Sequence, residues 1–86
     1  MPTVILDETA AEELRHLAAN SQERVRKKIR LLETTPDFGK RLHPSKYWSL
    51  RVGDYRVIYE IASTQEVRVL FIGHRKNVYD KFERHL

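Results

Sequence analysis

The 86-residue chain contains no cysteine, only three glycines and three prolines, and a single tryptophan. Without cysteine there is no disulfide, no thiolate nucleophile and no Cys-based zinc or iron–sulfur centre. Disulfide-stapled secreted scaffolds go with it, and a reducing, cytoplasmic setting is expected. No apolar run approaches the roughly 20 residues of a membrane helix and no secretory signal opens the chain, so no membrane association is expected. Repeats, low-complexity tracts and Gly/Ser linkers are also missing, and the length has room for one domain, residues 1–86. His16, His43, His74 and His85 lack the spacing of metal ligands and have no carboxylate cluster beside them, so no metal site is expected. Acidic residues are scarce in one half only. Residues 1–38 carry six basic and seven acidic side chains, net −1, whereas residues 39–86 carry ten basic and five acidic ones, net +5. Such a field attracts polyanions, whether nucleic acid or an acidic protein.

What is present divides at Gly39. Residues 2–6 are β-branched and apolar and read as a short strand. Thr9 with Glu12 forms a capping-box pattern that opens a helix of about ten residues, with Ala10, Leu14, Leu17 and Ala18 on its apolar side. Asn20 or Ser21 is the expected cap of a second helix, with Glu23 in its first turn. Val25, Ile29 and Leu32 then recur at helical spacing. A link this short makes the two helices an antiparallel hairpin, which Pro36 and Gly39 end. Beyond Gly39 the period becomes two. Residues 47–52 and 55–61 alternate around Gly53-Asp54, a pair suited to a type II′ turn. Residues 67–72 are apolar at nearly every position, as in a central strand. The polar segment 73–86 contains Tyr79 and Phe82 and closes the chain with a short helix. The expected fold is α+β: a short N-terminal strand, a helix hairpin on one face of an antiparallel sheet, and a C-terminal helix.

A two-residue turn sets the pairing of its strands. Val52 then faces Tyr55, Arg51 faces Arg56, Leu50 faces Val57, Ser49 faces Ile58 and Trp48 faces Tyr59. One face collects Trp48, Leu50, Val52, Tyr55, Val57, Tyr59 and Ile61, and the helices should lie on it. Its aromatic residues therefore read as core, not as a platform for bases. The opposite face collects Tyr47, Ser49, Arg51, Arg56 and Glu60, with Ile58 as its apolar member. Facing arginines disfavour the pairing, where opposite charges would contribute roughly 0.2–1 kcal/mol. Either each arginine leans to a carboxylate, Glu60 being nearest, or the open face is an anion site of guanidinium forks. Residues 73–79 add His74, Arg75, Lys76 and Tyr79 near the same sheet edge. RNA can be cut without a metal when its ribose 2′-OH attacks the adjacent phosphate, given a base, an acid and positive charge. Arg56, Arg75 and Tyr79, with a His or Lys, would make up that set. The basic run from Arg24 to Arg30 is a solvated helix face, with Arg24, Lys27 and Lys28 as candidate contacts to RNA backbone.

Two stretches, Leu50-Arg51-Val52-Gly53-Asp54-Tyr55-Arg56-Val57-Ile58-Tyr59-Glu60-Ile61 and Phe71-Ile72-Gly73-His74-Arg75-Lys76-Asn77-Val78-Tyr79, resemble the RelE branch of the RelE/ParE toxin superfamily. The resemblance extends over nearly the whole chain. It implies a toxin that enters the ribosomal A site and cleaves messenger RNA to a 2′,3′-cyclic phosphate, without metal or cofactor. It implies a cognate antitoxin that neutralises the toxin and through which alone the pair reaches operator DNA. By the same match, Arg56 and Arg75 would stabilise charge on the phosphate and Tyr79 would orient the target nucleotide. Arg51, Lys46, Lys76 and His74 are further candidates for phosphate or substrate binding. The best-studied members carry two lysines on the strand before the turn, where this chain has Tyr47 and Ser49. Lys46 lies one residue off, out of parity with the arginine face. His43 and His74 are candidate bases, imidazole being the side chain that exchanges a proton near neutral pH. Alternation with Arg75 turns His74 toward the other face. Two alternatives stand beside this reading: a ParE-like, non-hydrolytic inhibitor of DNA gyrase, and a basic module for binding an acidic protein. An antitoxin should cover the basic sheet face or displace the terminal helix.

Overall fold

The computed structural model describes residues 1–85; Leu86, the end of the expected terminal segment, lies outside the described residues. Along the chain come β1 (Thr3–Leu6), α1 (Glu8–Arg15), α2 (Ala19–Leu31), a 3₁₀ turn (Pro36–Phe38), β2 (Lys40–Arg41), β3 (Tyr47–Val52), β4 (Tyr55–Ser63), β5 (Glu66–His74) and α3 (Val78–His85). The sheet order is β1-β5-β4-β3-β2. Every neighbouring pair is antiparallel except β1 with β5, which is parallel. The α+β architecture is thus the expected one, with two additions: the short edge strand β2 and the parallel pair. Among the described residues no helix is long and apolar enough to cross a membrane.

Burial follows the periodicities. Ala10 and Leu14 of α1, Val25 and Ile29 of α2, and Leu32 just beyond it pack on Leu50, Val52, Val57, Tyr59, Val67, Val69 and Ile72. Each fully buried Leu or Val of this set contributes about 1.5–3 kcal/mol relative to exposure. β5 lies between β1 and β4, which explains its nearly continuous apolar run. Trp48 and Tyr55 are only half buried, and Ile61 is exposed near the far end of β4.

The helix starts differ from expectation. α1 begins one residue before Thr9, and its cap position is Asp7, whose side chain makes no capping hydrogen bond. The Asp7 carboxylate accepts instead from the Arg68 guanidinium at 3.0 Å, so a strand-to-helix ion pair takes the place of the capping box. With Glu66 on its other side, Arg68 holds its proton even more tightly than usual. α2 begins at Ala19 with exposed Ala18 at its cap position, so Asn20 and Ser21 lie inside its first turn, where Asn20 Oδ1 accepts from the Ser21 amide at 2.9 Å. Gln22 closes the joint, its amide donating to the carbonyls of Arg15 (3.1 Å) and Leu17 (2.8 Å) that end α1. Its donor thereby satisfies carbonyls left free at the end of α1, not the amides that open α2.

The main correction concerns the second face of the sheet, which is not open. α3 lies on it, burying Val78 and Phe82 against Tyr47, Ile58 and Leu70. Phe82 meets the Tyr47 ring edge-on at 5.1 Å between centroids. This layer depends on a bulge in β5. Ile58 pairs with Phe71 but Tyr59 pairs with Val69, leaving Leu70 as an extra residue. Val67 and Val69 face the helix hairpin, Leu70 and Phe71 face α3, and Ile72 faces the hairpin again.

Tyr59 links this core to the chain before β2. Fully buried, its hydroxyl donates to the Pro36 carbonyl at 2.7 Å and accepts from the Gly39 amide at 3.0 Å. Burial holds the phenol protonated above its ordinary value of 10.0. The folded state therefore keeps a proton that the unfolded chain releases near pH 10. Stability from this group is complete below that pH and is lost as pH rises through the folded value. Tyr59→Phe leaves the Pro36 carbonyl and the Gly39 amide unpaired, at an expected cost of about 1–3 kcal/mol. Urea titrations at neutral pH and above pH 10.0 should show that loss together with a flatter alkaline decline; an equally steep decline would assign the alkaline sensitivity elsewhere.

Candidate nucleic-acid interface

The hairpin pairing agrees with the sequence reading at every position, Val52↔Tyr55 through Trp48↔Tyr59. Gly53 has φ of 59°, and among the described residues no non-glycine residue has a positive φ, so Asp54 is not left-handed and a type I′ turn is excluded, as type II′ requires. Arg51 and Arg56 stand directly opposite each other. Glu60 pairs with neither of them. Arg56 Nη1 donates to the carbonyls of Gly53 and Tyr55, both at 2.9 Å, folding its guanidinium onto the turn. Glu60 accepts instead from Lys46 Nζ at 3.1 Å, which raises the lysine's affinity for its proton.

Two further arginines reach the same turn. The Arg75 amide donates to the Asp54 carbonyl at 2.8 Å, and its Nε lies 3.8 Å from the Asp54 carboxylate. Both side chains are more than half exposed, so this long contact holds the guanidinium only weakly. From α2, Arg24 crosses the turn, its Nη2 only 2.7 Å from the point where a Cβ on Gly53 would lie. Any side chain there would displace that guanidinium as well as strain the backbone. Arg24, Arg51, Arg56 and Arg75 thus surround one two-residue turn. A weakly held guanidinium such as that of Arg75 is able to turn toward a phosphate, which it binds through paired N–H donors.

Tyr79 is delivered beside this group by α3. Gly73 lies opposite Arg56, and its missing side chain lets the Val78 Cβ approach to 3.4 Å from where a Cβ would stand. The Glu13 carboxylate ties the helix down from the other side. It accepts from the Ile72 amide at 3.0 Å and from Lys81 Nζ at 2.6 Å, satisfying β5 beyond the end of β1. So held, Tyr79 shares a 2.9 Å hydrogen bond with the hydroxyl of buried Ser49, on the sheet face that carries Arg51 and Arg56.

Other candidates are placed elsewhere. Lys46 immediately precedes β3, about 16 Å along the strand from Arg51 at 3.3 Å per residue, and exposed His43 lies in the connection between β2 and β3. Tyr47 is buried under α3 between Phe82 and His85. His74 turns to the hairpin side, edge-on to Tyr55 at 6.0 Å, and its Nδ1 accepts from the Lys76 amide. Lys76 itself is exposed. Lys27 pairs with Glu23 one helical turn back at 3.4 Å, whereas Lys28 and Arg24 face β3. Among the described residues no three His, Asp or Glu side chains converge as metal ligands would. Sequence reasoning missed the contact of Ser49 with Tyr79, which joins residues thirty positions apart. It also missed Phe38 and Lys40, which flank the edge of β3.

Comparisons with known proteins identify the fold and the family. No curated protein is similar enough in sequence to match. Among solved structures, a chain of the toxin–antitoxin complex RelBE2 from Mycobacterium tuberculosis is 30% identical, with a TM-score of 0.76 over 87% of this chain and 100% of that one. The isolated RelE toxin of E. coli is 23% identical, with full coverage of both chains and a TM-score of 0.77. A chain of the RelB–RelE complex from Methanococcus jannaschii is 21% identical, with a TM-score of 0.72 over 91% of this chain and 98% of that one. The family described as ParE toxin of type II toxin–antitoxin system, parDE, matches residues 4–79, from the first strand to the tyrosine on α3. The chain, with its arginine-ringed turn, belongs to that family of type II toxins, within the RelE/ParE superfamily.

Proposed function

We propose that this toxin is a ribosome-dependent, metal-independent endonuclease that cuts messenger RNA in the ribosomal A site. The observation that carries this reading is that Arg56 and Arg75 both reach the Gly53-Asp54 turn, while Tyr79 hydrogen-bonds Ser49 on the sheet face that carries Arg56. In this mechanism the ribose 2′-OH gives up its proton as its oxygen bonds to the adjacent phosphorus, and the bond to the 5′-oxygen breaks, that oxygen leaving with a proton as a 5′-hydroxyl and the other product being a 2′,3′-cyclic phosphate. Arg56 and Arg75 neutralise the charge that grows on the phosphate oxygens. Tyr79, hydrogen-bonded to Ser49, positions the nucleotide. Neither Tyr47, buried under α3, nor distant Lys46 takes the place of the relatives' lysines. The +5 charge of residues 39–86 supports a negatively charged protein partner as well. Several similar structures are toxin–antitoxin complexes. By analogy a cognate antitoxin neutralises this chain, and the toxin reaches operator DNA only as part of that complex.

The match to the ParE family favours a second reading, non-hydrolytic inhibition of DNA gyrase. Primer extension on purified programmed ribosomes separates the two. Cuts confined to the A-site codon, absent from the same RNA without ribosomes, are expected. Intact messenger from folded protein, together with inhibited gyrase supercoiling, would replace the first reading by the second.

A further inference from the structure

β2 pairs only with Ser49 and Trp48, so the outer edge of β3 is uncovered from Leu50 onward. Along this edge runs a groove of about 560 Å³, walled by Arg24 and Lys28 from α2, Phe38, Lys40 and Arg51. Its size lies within the roughly 300–1,000 Å³ of small-ligand sites. It holds four cations, and no Asp or Glu lines it. Arg51 lies both in the groove and opposite Arg56, so the groove continues the arginine-ringed turn around the edge of the sheet. Phe38 is 51% exposed, with Lys28 Nζ 5.4 Å from its ring centre. A single exposed aromatic residue needs no explanation by itself. This one is rigidly displayed. The segment carrying it is fixed on both sides by the buried Tyr59 hydroxyl. A Cβ on neighbouring Gly39 would stand 2.7 Å from the Ser49 carbonyl and 2.8 Å from that hydroxyl, so glycine alone fits.

We infer that this groove is a second RNA-binding site, in which single-stranded RNA leaving the arginine-ringed turn stacks one base on Phe38. The inference rests on the RNA-directed reading above. Cations following a backbone beside a fixed aromatic ring are the arrangement by which proteins hold single strands regardless of sequence. A duplex, with its bases already stacked, could not use the ring. An acidic protein would use the cations but would have no need of a planar partner.

The test is fluorescence anisotropy with a short fluorescein-labelled single-stranded RNA, 2′-O-methylated so that it cannot be cleaved. Phe38→Ala is expected to weaken binding about tenfold, within the range of a lost base–aromatic stack, while its salt dependence stays unchanged. Phe38→Trp should bind at least as well as the parent. Lys40→Ala should lower the slope of log affinity against log salt by about 0.7, the share of one single-strand phosphate. Unchanged affinity in Phe38→Ala, or displacement of poly-L-glutamate but not of RNA by these substitutions, would overturn the site. The assay involves no ribosome, so its outcome is separate from the cleavage test. Cleavage with Phe38-independent binding would remove the groove alone; Phe38-dependent binding without cleavage would remove the nuclease alone.

Discussion

Arg56→Ala protein is expected to cut messenger on ribosomes about a hundred- to a thousandfold more slowly, the usual effect of removing one pre-positioned donor from developing charge. The loss should appear without unfolding. The native contacts of Arg56 are two hydrogen bonds to the carbonyls of Gly53 and Tyr55, on a side chain that is not buried. Their removal should cost no more than about 0.5–1.5 kcal/mol each, and it relieves the like charge of facing Arg51. Rate and stability should therefore separate. Arg56→Lys refines the argument, because an ammonium keeps the charge but lacks the planar fork. Partial activity is expected, between parent and alanine variant. Wild-type translation arrest by Arg56→Ala would exclude this guanidinium from the chemistry, and with it the proposed use of the turn.

The second large effect concerns the layer beneath the site. Phe82→Ala removes a ring that is 6% exposed and packed against Tyr47, Ile58, Leu70 and Val78. Such truncations cost about 3–5 kcal/mol, against the roughly 5–15 kcal/mol that separate folded from unfolded domains. Here the loss falls on a helix of eight residues, too short to persist alone. Its other moorings include buried Val78, the Glu13–Lys81 ion pair and the Tyr79–Ser49 hydrogen bond. Amide exchange should accelerate first across residues 78–85, and cleavage should fall with the displacement of Tyr79 even where the sheet remains folded. Wild-type exchange in α3 together with full activity would show that the helix is held by other contacts.

The hairpin was legible because a glycine turn leaves one register for two alternating strands, and that register puts the arginines face to face before any coordinate is known. The layer under α3 was harder to read. Tyr47, Ile58 and Phe82 each look unremarkable alone, and only the docking of α3 shows that they form a second core. The bulge left no trace in the sequence, because Val69, Leu70, Phe71 and Ile72 are all apolar and suit either face. Helix caps failed for another reason. Asp7 and Gln22 satisfied other partners from positions a local pattern does not weigh. Phe38 and Lys40 gave no periodic signal, since their meaning depends on how little of β3 is covered by β2.

The extra residue at Leu70 also sets the reading frame of everything after it. Upstream, odd-numbered side chains of β5 face the helix hairpin; downstream, even-numbered ones do. With a regular ladder, His74 would face Arg56's side of the sheet and Arg75 would turn away. The irregularity exchanges an imidazole for a guanidinium at the site. A lineage that loses or moves this bulge changes the acid–base character of this face without substituting a single residue there. Insertions and deletions in β5 are then a route to new chemistry, which alignments of site residues alone would overlook.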